Sequence, residues 1–234
     1  MTETELRARV VARAREWLGK NEADGSFRDV LRIYNAIEPL PVGYRLKDTD
    51  PWCAAFVSAV GASCGLGDVL FAECSCPRMV EKYRAAGRWV EEDGYVPAPG
   101  DLIFYGWNDS GAGDYLGPPD HVGIVESCDG AELTALEGNL RAAVGRRRMA
   151  VDGRFIRGYA LPDYAGAARR LTAEEPAFPD VPEDAWYGEA LRWAAGAGVI
   201  RGFEDGSFRP DRPLTRAEAV AMLFRALRRE TMDN

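Results

Sequence analysis

The chain has 234 residues, of which 47% are hydrophobic and 28% are charged, and its formal net charge is −8. This length allows one substantial domain and a smaller second one, and the composition is that of an ordinary globular protein. The acidic balance argues against a nucleic-acid partner, because such proteins usually carry a basic surface. We interpret the basic run at residues 146–148 as a solvated face rather than a binding patch.

The first twenty residues have the spacing of an amphipathic helix. One apolar stripe contains Leu6, Val10, Ala14 and Trp17. Charged residues interrupt this segment, so it lacks the apolar stretch of a secretion signal, and no other segment could span a membrane. We therefore expect a chain made in the cytoplasm, with no membrane partner. A second helix is predicted after the turn at residues 19–26, with Ser26 as its cap.

Residues 50–60 predict a helix that is hydrophobic on nearly all sides and is therefore buried. Asp50 suits the N-cap position, and Pro51 suits the first helical position. Cys53 then falls near the third position, where free backbone N–H groups and the helix dipole stabilise a thiolate. Taken alone, Cys53 fits equally well as a small buried hydrophobic residue.

The chain has five cysteines, and without a signal peptide we do not expect a disulfide framework. A zinc site is not expected either, because the Cys74–Cys76 pair has only one histidine in the whole chain to combine with. We interpret Cys64, Cys74, Cys76 and Cys128 as free thiols, buried or half-buried.

Beyond residue 99 the pattern changes from helices to consecutive strands. Strands are predicted at residues 101–105, 121–127, 132–137 and 155–161. Helices followed by consecutive strands indicate an α+β fold with an antiparallel sheet.

His121 is the only histidine and begins one of these strands, so any Cys–His mechanism in this chain has to use it. Glu137 and Asn139 end the next strand with the same parity, which allows both to project onto one face. Glu137 could accept a hydrogen bond from the imidazole with Asn139 in support, or both could belong to an ordinary strand end. Trp52, Tyr105 and Trp107 are candidates for a cleft wall or for the core.

Four sequence blocks stand in a characteristic order: residues 51–57 (PWCAAFV), 99–104 (PGDLIF), 120–125 (DHVGIV) and 137–139 (EGN). Together they resemble the CHAP family, papain-like amidases and peptidases that cut peptidoglycan, over nearly all of residues 5–165. Residues 19–22 (GKNE) and 74–77 (CSCP) resemble the CHAP domains of phage and prophage lysins.

The resemblance implies a papain-like domain with N-terminal helices and an antiparallel sheet. It also implies that Cys53 is the nucleophile, His121 the general base, Glu137 the residue that orients the imidazole, and Asn139 an accessory polar group.

Some members of that family bind calcium through an acidic loop just before the cysteine. Here the loop at residues 47–51 offers only Asp48 and Asp50, with Lys47 beside them. Calcium takes six to eight oxygen ligands, so we expect no metal or other cofactor and interpret both aspartates as helix caps.

The C-terminal segment has its own aromatic and helical pattern, with a glycine-rich loop and Thr215 as the cap of its last helix. Including the sequence TRAE at residues 215–218, it resembles one S-layer homology (SLH) motif. Members of that family bind anionic secondary wall polysaccharide. The resemblance implies that Arg216 meets a ligand carboxylate and that Trp186 stacks near it.

The predicted domains are residues 1–164 for the CHAP domain, 165–177 for a linker and 178–234 for a small helical SLH module. SLH motifs usually work as three repeats and only one is present, so a homotrimer is predicted through this module. We expect an endolysin-like hydrolase that acts on peptidoglycan at the cell wall. The alternatives are an inactive wall-anchored binding protein and an intracellular thiol peptidase.

Overall fold

This computed structural model describes residues 1–92, 94–110, 116–173, 178–196 and 198–230. The chain divides into two compact units, residues 2–167 and residues 168–234 with Met1. Residues 165–173 of the predicted linker are helical rather than extended, because small and apolar residues there continue a helix that begins at Tyr164. Residues 174–177 of that linker lie outside the described residues.

Among the described residues, five α-helices belong wholly or partly to the first unit. They are α1 (Glu3–Glu16), α2 (Arg28–Tyr34), α3 (Cys53–Ser63), α4 (Cys76–Ala85) and α5 (Tyr164–Ala173). The start of α1 is fixed by a capping box between Thr2 and Glu5. The apolar stripe predicted for this helix is buried, as its spacing required.

The sheet of the first unit contains six strands within the described ranges. They are β1 (Trp89–Val90), β2 (Leu102–Tyr105), β3 (His121–Cys128), β4 (Glu132–Leu140), β5 (Ala143–Ala150) and β6 (Ile156–Ala160). Their spatial order is β1-β6-β2-β3-β4-β5, and all neighbours are antiparallel. This confirms the α+β prediction, and β3 and β4 become adjacent strands of one hairpin.

Strand β5 was not predicted, because its arginine run was interpreted as a solvated face. Each arginine instead pairs with a glutamate: Arg146 with Glu126, Arg147 with Glu137 and Arg148 with Glu132. The solvated-face interpretation is wrong for the central arginine, whose side chain is only 28% exposed. Cross-strand charge pairing therefore explains why charged residues occupy this strand.

Helix α3 packs against the sheet at β3 and β4 and against α2. Every residue from Cys53 to Gly61 is buried, as expected for a helix that is hydrophobic on all sides. A Cβ atom at Gly138 in β4 would lie 2.3 Å from Cβ of Phe56 and 2.9 Å from Cζ3 of Trp52. The bare glycine therefore lets α3 approach β4 closely, which places the start of this helix beside the end of β4.

Helix α3 starts later than predicted, so Cys53 is its first residue and not its third. The N-cap is Trp52, without a side-chain cap. The Asp50 carboxylate accepts hydrogen bonds from the Lys47 N–H at 2.8 Å and the Tyr44 hydroxyl at 3.0 Å. The prediction that Asp50 caps the helix is wrong, because the carboxylate closes the preceding loop instead.

Two other predicted caps are also wrong. Asp48 accepts a hydrogen bond at 2.7 Å from Nε of Arg28, which ties the loop to the helix before it. Ser26 precedes the N-cap position of α2, which is Phe27, and its hydroxyl accepts from the Asn21 N–H at 2.9 Å. In both cases a local loop contact satisfies the side chain that the sequence pattern assigned to a helix end.

The second unit contains α6 (Gly188–Gly196) and α7 (Arg216–Glu230). The predicted cap of the last helix is confirmed: the Glu218 N–H donates to Oγ1 of Thr215 at 3.2 Å, and the Thr215 N–H donates to Oε2 of Glu218 at 2.9 Å. The TRAE sequence is thus a capping box. None of the helices in the described ranges is both long and apolar enough to cross a membrane.

Candidate active site

His121 and Glu137 are brought together by the β3–β4 hairpin. Nε2 of the imidazole lies 3.0 Å from Oε2 of the carboxylate. The Glu137 side chain is fully buried, and the His121 residue is 8% exposed. A buried carboxylate on one imidazole nitrogen fixes the ring orientation and favours the protonated ring.

Gly123 makes the space that this contact needs. A Cβ atom at Gly123 would lie 2.8 Å from Cγ of Glu137, well inside the range of ordinary contacts. Because residues two apart in a strand share a face, His121 lies on the same side of the sheet as this gap. The Glu137 side chain therefore passes over the glycine towards the imidazole.

Cys53 lies close enough to His121 for the two groups to stabilise each other's charged forms, although 68 positions separate them in the sequence. Because Nε2 faces Glu137, Nδ1 is the ring nitrogen left for the sulfur. The Cys53 residue is 5% exposed, similar to His121. The thiol, imidazole and carboxylate thus form a chain from the start of α3 to the β3–β4 hairpin.

The protonation states of the Cys53, His121 and Glu137 side chains follow from their contacts. The hydrogen bond with Cys76 holds the pKa of the Cys53 thiol well below its usual value, and the hydrogen bond with His121 acts in the same direction against burial. Burial alone would lower the pKa of His121, but the hydrogen bonds to Cys53 and Glu137 raise it to about 9. Both shifts favour the charged pair, a thiolate beside an imidazolium, over the neutral pair.

Cys76 lies next to the site, although the sequence analysis interpreted it only as a free thiol. Its Sγ lies 3.6 Å from Sγ of Cys53, and both residues are buried. Cys76 is the first residue of α4, as Cys53 is the first residue of α3. The signal was present in the run Cys74-Ser75-Cys76, but nothing local in the sequence indicates that a second helix start meets the first.

Arg147 is the second residue that sequence reasoning missed. Its Nε donates to Oε1 of Glu137 at 2.8 Å, the oxygen that does not face the imidazole. Its guanidinium also lies 4.8 Å from the Trp107 ring centroid and 5.2 Å from that of Tyr105. Burial raises the pKa of Glu137, but the hydrogen bonds from His121 and Arg147 keep it below its usual value.

Asn139 departs from the strand geometry assumed for it. Its φ is +57°, and the register between β4 and β5 shifts between Glu137 and Leu140. Side chains do not alternate regularly through such a bulge, so the parity argument that placed Asn139 beside Glu137 is wrong. Among the described residues, the structure gives no hydrogen bond between Asn139 and His121.

The three aromatic candidates divide between core and surface. Trp52 and Tyr105 are fully buried, so they belong to the core. Trp107 is 38% exposed and stacks on Tyr105, with ring centroids 4.9 Å apart and an interplanar angle of 9°. Its centroid lies 6.1 Å from that of His121, so Trp107 forms an apolar surface next to the imidazole.

Within the described parts of the chain, no group of three or more His, Cys, Asp or Glu side chains could hold a metal ion. Asp48 and Asp50, the two carboxylates considered for calcium, are engaged by Arg28 and by Tyr44 and Lys47.

The second unit has a cavity of about 480 Å³. Four arginines are among its lining residues: Arg201, Arg209, Arg212 and Arg225. The two predicted ligand residues, Arg216 and Trp186, do not line this cavity. Both are exposed, and Trp186 is 93% exposed.

A cysteine, a histidine and a buried carboxylate are the residue types that thiol-dependent hydrolases use as nucleophile, base and orienting group. The CHAP domain family model matches residues 45–139, which include all three residues. The S-layer homology domain model matches residues 177–220. The chain therefore contains a CHAP domain followed by a C-terminal SLH domain.

Curated relatives include proteins of bacterial surface layers. The chain is 36% identical over 63 residues to the S-layer protein sap of Bacillus anthracis, covering 27% of this chain and 8% of that protein. It is 44% identical over 50 residues to the outer membrane protein SlpA of Thermus thermophilus, covering 21% of this chain and 6% of that protein. It is 30% identical over 109 residues to a cell surface protein of Thermoanaerobacter kivui, covering 44% of this chain and 14% of that protein.

The chain thus spans less than a tenth of the length of the first two of these relatives. No solved structure matches the chain.

Proposed function

We propose that this protein is a peptidoglycan hydrolase that cleaves an amide bond of cell-wall peptides with a Cys53–His121–Glu137 thiol mechanism. One observation carries the proposal: the only imidazole of the chain contacts both a thiol at a helix start and a buried carboxylate. The CHAP domain match supports the substrate class. The SLH domain and the surface-layer relatives support a place of action at the bacterial cell wall.

In this mechanism the Cys53 thiolate attacks the amide carbonyl carbon, and the carbonyl electron pair moves to oxygen. The His121 imidazolium gives its proton to the leaving amine as the tetrahedral intermediate collapses to a thioester. The neutral imidazole then takes a proton from water, which attacks the thioester carbonyl carbon; the acid and the Cys53 thiolate are released, and the imidazolium is restored. Glu137 holds the ring and stabilises its charged form through both proton transfers.

The oxyanion needs hydrogen-bond donors that are in place before the reaction. The proposed donors are the backbone N–H of Cys53 and a neighbouring group. Asn139 remains proposed as an accessory polar group of the site.

The finer type of enzyme is also proposed. An endolysin-like role accords with the order of the two domains, with either N-acetylmuramoyl-L-alanine amidase or cross-bridge endopeptidase specificity. Both reactions use the same thiol chemistry, and specificity resides in cleft shape. Trp107, exposed beside His121, is the aromatic surface on which a peptide would lie.

We expect no calcium requirement, so chelation with EDTA leaves the rate unchanged.

For the SLH domain we propose binding of secondary cell-wall polysaccharide through Arg216 and Trp186. Both side chains are exposed, and a guanidinium can pair with a ligand carboxylate through two hydrogen bonds. We further propose that three copies of the chain associate through this domain. Supporting this, α6 and α7 leave large apolar side chains exposed, including Trp193 at 64%, Val220 at 66% and Leu223 at 61%.

The loss of turbidity of purified cell walls tests the hydrolase proposal. We expect the wild type to clear the walls and Cys53→Ala to slow clearing about a thousand-fold or more, because the nucleophile is removed. Cys128→Ala is the matched control: Cys128 is a half-buried cysteine at the end of β3, outside the site, and its loss should leave clearing intact.

A wild type that binds walls but never clears them would instead favour the inactive wall-anchored protein. Equal clearing by wild type and Cys53→Ala would remove Cys53 from the mechanism.

A further inference from the structure

A second thiol lies against the proposed nucleophile. The Sγ atoms of Cys53 and Cys76 are 3.6 Å apart, within hydrogen-bonding distance for sulfur, and both residues are buried. Each cysteine is the first residue of a helix of at least ten residues, α3 and α4. Two helix starts therefore converge on one pair of sulfur atoms.

The surroundings of the two sulfurs decide which one carries the proton. Cys53 has His121 on one side, and the pKa of this imidazole, raised to about 9, favours its charged form at neutral pH and with it a thiolate on Cys53. The pKa of Cys76 is instead raised well above its usual value. The causes are the hydrogen bond to Cys53, burial, and the negative charges of Cys53 and Asp120. These charges favour the proton of the pair on Cys76.

We propose that Cys76 is a positioning residue for the reaction, a thiol that donates its S–H to the Cys53 thiolate and holds that sulfur in place. The thiolate then has donors on two sides: the imidazolium of His121 and the thiol of Cys76. This inference rests on the proposed role of Cys53 as nucleophile. Cys76 itself forms no bond to substrate.

The consequence is a specific requirement at position 76. The side chain there has to be small enough for a buried helix start and has to carry a polar hydrogen. Serine meets both conditions and alanine meets only the first. A purely structural role for Cys76 would instead be met equally well by alanine, because cysteine in a core behaves as a small hydrophobic residue.

The test measures how fast iodoacetamide alkylates Cys53 as a function of pH, with the modified residue identified by peptide mass spectrometry. In the wild type we expect alkylation to remain fast into the acidic range. Cys76→Ala should move the midpoint upward by about one pH unit or more, and Cys76→Ser should restore most of the difference. Cys128→Ala serves as the matched control and should titrate like the wild type.

Identical midpoints in the wild type, Cys76→Ala and Cys76→Ser would overturn the proposal. Alkylation needs no peptidoglycan, so a failure of wall hydrolysis in the wild type would count against the proposed function and leave this test intact.

A second measurement needs no variant and so does not depend on folding of the substituted chains. With a small linear disulfide such as cystamine, the Cys53 thiolate attacks one sulfur and releases one cysteamine. Cys76 then loses its proton and attacks the Cys53 sulfur, which releases the second cysteamine and leaves a Cys53–Cys76 disulfide. We expect this pair to form first among the five cysteines. A different first pair would contradict the geometry on which the inference depends.

Discussion

His121 contacts partners on both ring nitrogens, and its protonation state follows from them. Nε2 meets the buried Glu137 carboxylate, and the other nitrogen faces the Cys53 sulfur. Both partners are negatively charged when the ring is protonated, so the charged pairings reinforce each other. A thiolate that remains ionised at neutral pH and an imidazolium that can donate a proton are the two requirements of the first chemical step.

The pKa of His121 can be measured directly, because no other histidine is present. By NMR titration of isotope-labelled histidine, we expect a pKa of about 9 in the wild type and a fall towards 6.5 in Cys53→Ala. Since the folded pKa is raised, the contribution of this charge to stability is complete below pH 6.5 and is lost as pH rises through about 9. A wild-type pKa at or below 6.5 would contradict the proposed ion pair.

Arg147 contacts the Glu137 carboxylate on the side away from His121. In Arg147→Met, Oε1 of Glu137 loses its donor inside the protein, which should lower the free energy of unfolding by about 1–3 kcal/mol. The pKa of Glu137 should rise, so the acidic limb of wall hydrolysis moves to higher pH. Denaturant unfolding and a pH–rate profile measure the two effects.

Arg147→Lys keeps the positive charge and should recover part of both losses. An unchanged pH profile in Arg147→Met, with only reduced stability, would mean that the arginine serves folding alone.

The residues of the candidate active site could be predicted from sequence to different degrees. Cys53, His121 and Glu137 stand out because a cysteine near a helix start, a single histidine and a strand-end glutamate are each visible locally. Arg147 and Cys76 could not be assigned, because their importance arises only when β5 pairs with β4 and when the start of α4 meets that of α3. Asn139 was misplaced because a bulge interrupts the alternation on which parity arguments depend.

At the scale of elements, glycines set the spacing between α3, β3 and β4. Gly138 admits Phe56 of α3 against β4, and Gly123 of β3 leaves the space that Glu137 of β4 occupies. The approximate bounds of these three elements follow from hydrophobic pattern. The start of α3 could not be predicted from that pattern, because Asp50 forms its hydrogen bonds within its own loop instead of with the helix.

Gly123→Ala tests whether this spacing matters for the reaction. The added methyl group would lie 2.8 Å from Cγ of Glu137, so the carboxylate has to move away from the imidazole. Because small displacements of reacting groups can cost about 100-fold in rate, we expect a loss of that order in wall hydrolysis.

Gly67→Ala is the control, since nothing lies within 4 Å of a Cβ atom at that position. Wild-type activity in Gly123→Ala, with the fold intact by circular dichroism, would contradict the proposed positioning of Glu137.

At the scale of the whole molecule, two units of different character share one chain. The first has a buried helical and sheet core of its own, whereas the second leaves apolar side chains of α6 and α7 exposed. The helix at residues 164–173 could not be predicted from sequence, because the small residues there have the composition of a linker.

The exposed apolar side chains predict the state of association. Light scattering should give three times the chain mass of 25.7 kDa. Leu223→Glu should reduce it to a monomer, because a charge on a buried contact opposes association. Glu204→Lys, an exposed charge change in the loop between α6 and α7, should leave the mass unchanged. A monomeric wild type at working concentration would contradict the trimer.

Mass spectrometry of the fragments released from purified peptidoglycan shows whether the thiol–imidazole pair cleaves amide bonds of cell-wall peptides. We predict that the wild type releases fragments with one new amine and one new carboxyl end at a single type of amide bond, and that Cys53→Ala releases none. Fragments cut only at glycosidic bonds, or the same fragments from both proteins, would contradict the account.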